Sequence, residues 1–182
     1  MQSLSDAERK AIVELARQGV VEAVCHARLV HPIPKQGVFA RRCGVFVTLH
    51  LQGRLRGCIG VIEAREPLGE SLVRCAAGAA LEDPRFPPMR PEEVNEVEIE
   101  VSLLSELQRI KPEEIEIGKH GLVVERGSRR GLLLPQVATE HQLGREEFLQ
   151  EACVKAGLAR DAWEDPGTMV SGFTCEIVAQ DK

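Results

Sequence analysis

The chain has 182 residues, 43% of them apolar, and a formal net charge of −5, the make-up of a folded globule large enough to bury its own core. The acidic balance excludes a broad electrostatic footprint for nucleic acid or an anionic membrane. No apolar run approaches the roughly 20 residues of a membrane-crossing helix, and the charged N-terminus lacks a signal-peptide core, so a cytoplasmic location is expected.

Ser5-Asp6-Ala7-Glu8 is a capping box and predicts a helix over residues 5–27, with Ile12, Leu15, Ala16, Ala23 and Val24 at helical spacing. The two prolines of His31-Pro32-Ile33-Pro34-Lys35-Gln36-Gly37 then break the chain into a loop. Strand-like runs at 45–51 and 55–62 meet around Gln52-Gly53 as a β-hairpin. Two registers stay open. A two-residue loop puts Val47 opposite Cys58, whereas a three-residue loop puts Thr48 opposite Cys58 and His50 opposite Arg56.

Pro67 suits a first helical turn, and Leu68, Leu72, Cys75, Ala76 and Ala79 continue an apolar stripe to about Leu81. Asp83-Pro84-Arg85-Phe86-Pro87-Pro88 is irregular, because its prolines fix the chain and remove amide donors. Residues 96–103 alternate, with Val97, Ile99, Val101 and Leu103 inward and Glu96, Glu98, Glu100 and Ser102 outward on a wet face. A second hairpin is expected across Arg126-Gly127-Ser128-Arg129-Arg130, a helix at 144–156 ended by Gly157, and a last strand in which Phe173, Cys175 and Ile177 alternate. Helices interleave with hairpins without a repeating strand–helix–strand unit, which predicts an α+β fold with an antiparallel or mixed sheet and helices packed on it.

The six cysteines, at 25, 43, 58, 75, 153 and 175, make no Cys-x-x-Cys pair and no cluster with the five histidines. They are read as reduced thiols, with no closed zinc site. A mixed site of His50, Cys58 and His120 exists under one hairpin register alone, so no metal is assigned. Phosphate-cradling and dinucleotide-binding glycine loops are missing, as is the Gly-x-Ser-x-Gly elbow, and no cofactor is expected. What remains is Arg54-Leu55-Arg56-Gly57-Cys58-Ile59-Gly60. In an extended strand Arg56 and Cys58 share a face, a guanidinium there favours the thiolate, and Gly57 and Gly60 let another backbone or a ligand come close. The plainer reading is a structural cysteine at a glycine bend. His120, between Lys119 and Gly121, is the candidate proton carrier for a cysteine nucleophile, or a turn residue satisfying backbone groups.

Leu55-Arg56-Gly57-Cys58-Ile59-Gly60, Asp83-Pro84-Arg85-Phe86, Val101-Ser102-Leu103-Leu104, Ile117-Gly118-Lys119-His120-Gly121 and Leu133-Leu134-Pro135-Gln136-Val137-Ala138 together resemble the AMMECR domain family, in order along most of the chain. The resemblance implies one domain over residues 1–182 made of two interleaved subdomains, a larger and a smaller, sharing a cleft where the motif residues gather. It implies no known reaction, but an association with a Memo-type protein and a radical-SAM protein. Carried over by position, the site comprises Arg56, Gly57, Cys58 and Gly60, with Asp83, Arg85, Phe86 and His120. The 139–144 stretch departs from the family, with His141-Gln142-Leu143 where a tryptophan often stands. Two functions stay open: a small enzyme or substrate-handling component with Cys58 as nucleophile or covalent carrier, Arg56 and Arg85 binding an anionic group and His120 transferring a proton, and a non-catalytic adaptor or binding module recognising a peptide or small metabolite. RNA binding through Arg126, Arg129 and Arg130 ranks behind both, since stacking aromatics are scarce.

Overall fold

Ser5 caps the first helix, α1 (Asp6–His26): its hydroxyl accepts from the Glu8 amide while the Glu8 carboxylate accepts from the Ser5 amide. The reciprocal bonds satisfy donors that a helix start leaves unpaired. In the computed structural model, residues 4–30 and 32–179 are described. His31, the first residue of the expected proline break, lies outside the described residues, and residues 32–36 carry no regular structure.

The chain folds as two compact units, one containing the residues up to Leu104 and again from Glu176, the other Ser105–Cys175. In the first unit, β1 (Gly44–Leu51) pairs antiparallel with β2 (Arg54–Val61) on one side and β3 (Val97–Leu104) on the other. The helix α2 (Leu68–Leu81) packs on β1 and β2, and α1 packs on α2 and β3. Val45, Val47 and Leu49 of β1 join Ile12, Ala16, Leu72 and Ala76 of the helices in one dry core. By strand alternation, Phe46, Thr48 and His50 face the other side of the sheet.

The hairpin combines the two alternatives: the loop has two residues, as in the first, and Thr48 faces Cys58, as in the second, but His50 does not face Arg56. Gln52 and Gly53 both sit at positive φ, 52° and 73°, the two-residue turn whose twist matches flanking strands. Leu51 faces Arg54 and His50 faces Leu55, but Leu49 faces Gly57 and Thr48 faces Cys58. Arg56 is the extra residue of a bulge, and it moves Cys58 from Val47 to Thr48.

Ser102 corrects the alternation expected of β3. Val97, Ile99, Val101 and Leu103 are buried and Glu98 is exposed, as predicted, but Ser102 is fully buried and its hydroxyl has no partner among the described residues. The alternation rule assumes one wet face; at Ser102, Leu103 and Leu104 both faces are dry.

In the second unit, β5 (His120–Arg126) pairs antiparallel with β6 (Arg129–Leu133) and with β7 (Met169–Ala179), and the short β4 (Gln108–Arg109) also pairs with β7. Two helices pack against this sheet, α3 (Pro135–Glu140) on β5 and α4 (Arg145–Lys155) on β5 and β6. The last strand does not keep the expected alternation: Phe173 and Val178 are buried while Ile177 is 42% exposed. Its buried parity changes where the strand passes from one unit into the other, and its final residues are held in the first unit by the Arg9–Glu176 ion pair. The fold is α+β with antiparallel pairing, as expected.

Candidate functional site

Cys58 lies in β2, whose far side from β1 is a sheet edge. Its N–H donates to Asp83 Oδ2 at 2.8 Å, and its C=O accepts from Arg85 Nη2 at 3.4 Å. Side chains of the proline loop therefore occupy backbone groups that another strand would otherwise take. Because the Cys58 N–H turns outward, Thr48 and Cys58 form the non-hydrogen-bonded kind of cross-strand pair, in which side chains come closest. Cys58 Sγ accordingly lies 3.3 Å from Thr48 Oγ1. Glu100 faces Thr48 from β3, completing a row of Cys58, Thr48 and Glu100 across three strands.

The loop that reaches Cys58 is built around Asp83. Its carboxylate accepts from the Arg85 N–H at 3.1 Å, from Arg85 Nε at 2.9 Å and from Arg85 Nη2 at 2.7 Å, besides the Cys58 amide. The Asp83 side chain is 2% exposed and that of Arg85 54% exposed, so a buried carboxylate pins an accessible guanidinium. Asp83 is held far below the usual carboxylate range, first by Arg85 and then by the two amides, against the opposing effect of burial. The Arg85 guanidinium lies 5.5 Å from the centre of the Phe86 ring, which supports it from one side.

Arg56 does something other than what its strand position predicts. Its Nε and Nη2 donate to the two Glu93 carboxylate oxygens at 2.8 and 3.1 Å, and Nη1 donates to the Pro87 C=O at 3.0 Å. Both side chains of the pair are close to nine-tenths buried. Glu93 is lowered to about 2, mainly by Arg56, with the Arg90 amide adding to it. Arg56 thus ties the strand to the far end of the proline loop. Sequence reasoning missed Glu93, because nothing local in Pro91-Glu92-Glu93 marks a partner 37 positions upstream.

The motif glycines serve close packing of the protein on itself. A Cβ at Gly57 would stand 2.0 Å from the Ala79 C=O of α2, and one at Gly60 would stand 2.2 Å from the Phe46 ring. Of the two expected uses, approach of backbone or of ligand, the structure shows the first at Gly57 and a side chain at Gly60.

Burial pushes the Cys58 thiol up, the Thr48 hydrogen bond and Arg85 oppose the shift, and Asp83 and Glu100 add to it. The Arg56 guanidinium is committed to Glu93 and is not among the groups that shift the thiol. His120 belongs to the second unit, where it opens β5 opposite Thr174 and its Nδ1 accepts from the Glu116 amide at 3.1 Å. His50 faces Leu55 and Glu98. Among the described residues no three His, Cys, Asp or Glu side chains converge in a way that would hold a metal ion. The basic turn of the second hairpin is internally matched, Arg126 with Asp165 at 2.5 Å, Arg130 with Glu125 at 3.3 Å and Arg129 with the Gly157 C=O at 2.9 Å.

Comparison with known proteins supports the reading of fold and motif. A protein of Methanothermobacter thermautotrophicus is 44% identical over 98% of this chain and 97% of its own length. One of Thermococcus gammatolerans is 42% identical over 100% of this chain and 94% of its own. The crystal structure of an uncharacterized protein from Pyrococcus horikoshii superposes with a TM-score of 0.90 at 40% identity, covering 96% of this chain and 92% of that one. The AMMECR1 family model matches residues 13–178, a span that holds Arg56, Cys58, Asp83, Arg85 and Glu93 alike, and the chain belongs to the AMMECR1 family.

Proposed function

We propose that the Cys58 site is a non-covalent recognition site, one that holds a small metabolite or a peptide segment and hands it on without attacking it. The observation that carries this reading is the geometry around the thiol: Cys58 Sγ pairs with the neutral Thr48 hydroxyl, and the guanidinium of Arg56, two positions away, is bound to Glu93, while burial raises the thiol. A nucleophilic cysteine needs the opposite, a lowered thiol next to a base. The surrounding geometry suits recognition, because buried carboxylates fix two guanidinium groups and a rigid site loses little entropy on binding. The catalytic alternative, attack by Cys58 with His120 carrying the proton, has weaker support, since the one ring nitrogen of His120 with an assigned partner accepts from a neighbouring amide.

The partners in this proposal are the Memo-type and radical-SAM proteins that the family resemblance implies, with this chain presenting a ligand to one of them. A cytoplasmic setting agrees with the free thiols of Cys25, Cys43, Cys58, Cys75 and Cys153, and no helix among the described residues is long and apolar enough to cross a membrane. Complementation tests the central point. In cells from which the gene has been deleted, Cys58→Ser should restore the lost phenotype, and wild-type chain recovered from cells should carry no adduct on Cys58 by intact-mass spectrometry. Failure of a folded Cys58→Ser chain, together with a covalent adduct on the wild type, would establish the nucleophile instead.

A further inference from the structure

At the Cys58 site the Asp83 carboxylate is fully engaged, while Arg85 and the Thr48–Cys58 pair keep donor capacity. Arg85 directs Nε at Asp83 and Nη2 at Asp83 and the Cys58 C=O, its guanidinium also interacts with the Cys58 side chain, and Nη1 is not used in the bonds to Asp83 or to the Cys58 C=O. Thr48 and Cys58 bring two donor hydrogens, one hydroxyl and one thiol, to a pair that shares a single bond. One of those hydrogens is left over. The Arg85 side chain is 54% exposed, so it is reachable, and the 2% exposed Asp83 side chain fixes where the guanidinium points.

We propose that this site takes an anionic oxygen ligand, a carboxylate or a phosphate group, with Arg85 Nη1 supplying the charge and the Thr48–Cys58 pair supplying a neutral donor beside it. The proposal rests on the recognition reading above and names its ligand class. A fixed, reachable guanidinium is the group best shaped for planar or tetrahedral oxyanions, and charge-assisted bonds of this kind are stronger than neutral ones. The Arg56 guanidinium has no comparable role, since all three of its nitrogens donate to Glu93 or to the Pro87 C=O. Glu100, across Thr48 from Cys58, sets the limit on the other side, where a second anionic group of the ligand would be repelled.

The test uses the whole chain, with inorganic phosphate and acetate as separate probes and chloride at matched ionic strength as control. An anion seated at Arg85 raises the thiol further, so alkylation of Cys58 should slow by roughly tenfold at saturation for each pKa unit gained. The Cys58 and Arg85 amide resonances should shift with the same saturation curve. Arg85→Gln should abolish both responses and Arg54→Gln should keep them. Thr48→Val leaves the Asp83–Arg85 pair intact and should weaken the response, which decides the matter if Arg85→Gln does not fold. A response to phosphate alone assigns a phosphorylated ligand, and one to acetate alone a carboxylate. If neither probe exceeds chloride, or if the Arg85→Gln and Thr48→Val chains respond like wild type, the anion class is wrong. That failure is separable from failure of the recognition reading, which shows as loss of function in Cys58→Ser.

Discussion

The two hairpins, β1–β2 and β5–β6, both turn on two residues and both carry arginines at or near the turn, yet they use them in different ways. In β5–β6 the register is regular from Leu122–Leu133 to Arg126–Arg129, and Arg126 meets an acid at the surface, Arg126 and Asp165 being 46% and 52% exposed. In β1–β2 a bulge at Arg56 shifts the register, and Arg56 and Glu93 are only 12% and 13% exposed. A basic residue in a solvated turn contributes little to stability, because water and salt screen its pairs. A guanidinium drawn under a loop fixes that loop. What separates the two hairpins is burial brought about by a one-residue irregularity.

Removing an acid from each hairpin gives the largest expected contrast. Glu93→Ala leaves Arg56 buried without its partner and should cost about 3 kcal/mol in a denaturant titration, the low end for breaking a buried pair. Asp165→Ala should cost less than about 1 kcal/mol. Equal losses would mean that the Arg56 pair is as solvated as the surface one. The glycines sharpen the same contrast. Gly57→Ala drives a methyl into the Ala79 C=O and should cost about 2 kcal/mol with disturbed packing of α2 on β2. Gly127→Ala meets no atom and should cost about 1 kcal/mol through its φ of 61° alone, leaving tertiary spectra unchanged.

Acid should also distinguish Glu93. Its carboxyl is lowered in the fold to about 2, so its contribution is complete above the ordinary carboxylate range and disappears as pH falls from about 4.3 towards 2. Asp83 acts in the same direction, with its loss extending to still lower pH. Stability measured against pH should therefore fall less steeply over this range in Glu93→Ala than in wild type. A smaller effect than that of the Glu93 pair belongs to the hydrogen bond at the thiol. Thr48→Val should cost about 1 kcal/mol and raise the Cys58 thiol further by removing the bond that favours its charged form. An unchanged pH profile of Cys58 reactivity would show that the 3.3 Å contact carries no charge stabilisation.

Much of the scaffold was readable in the residues, because its signals are local. The Ser5–Glu8 box, the Gln52-Gly53 turn, the apolar stripe of α2 and the alternation of Val97, Ile99 and Val101 each depend on neighbours a few positions apart. The site residues Cys58, Asp83 and Arg85 do come together, but their roles were not readable, because those depend on contacts of long sequence separation. Strand alternation put Arg56 beside Cys58, while the bulge and Glu93 gave it another partner. Ser102 read as a wet position because the rule of two does not register what covers a face. Residues 135–140 stood out as a motif without reading as a helix, since six residues are too short to show a period.

The most direct test of the account is the pH dependence of Cys58 alkylation in the native protein, followed cysteine by cysteine by mass spectrometry. The account predicts a reaction slower than that of a denatured control, with a midpoint above the ordinary thiol value of roughly 8.5. A midpoint well below that value, with Cys58 reacting ahead of the exposed Cys25, would contradict it and make the site that of a thiolate nucleophile.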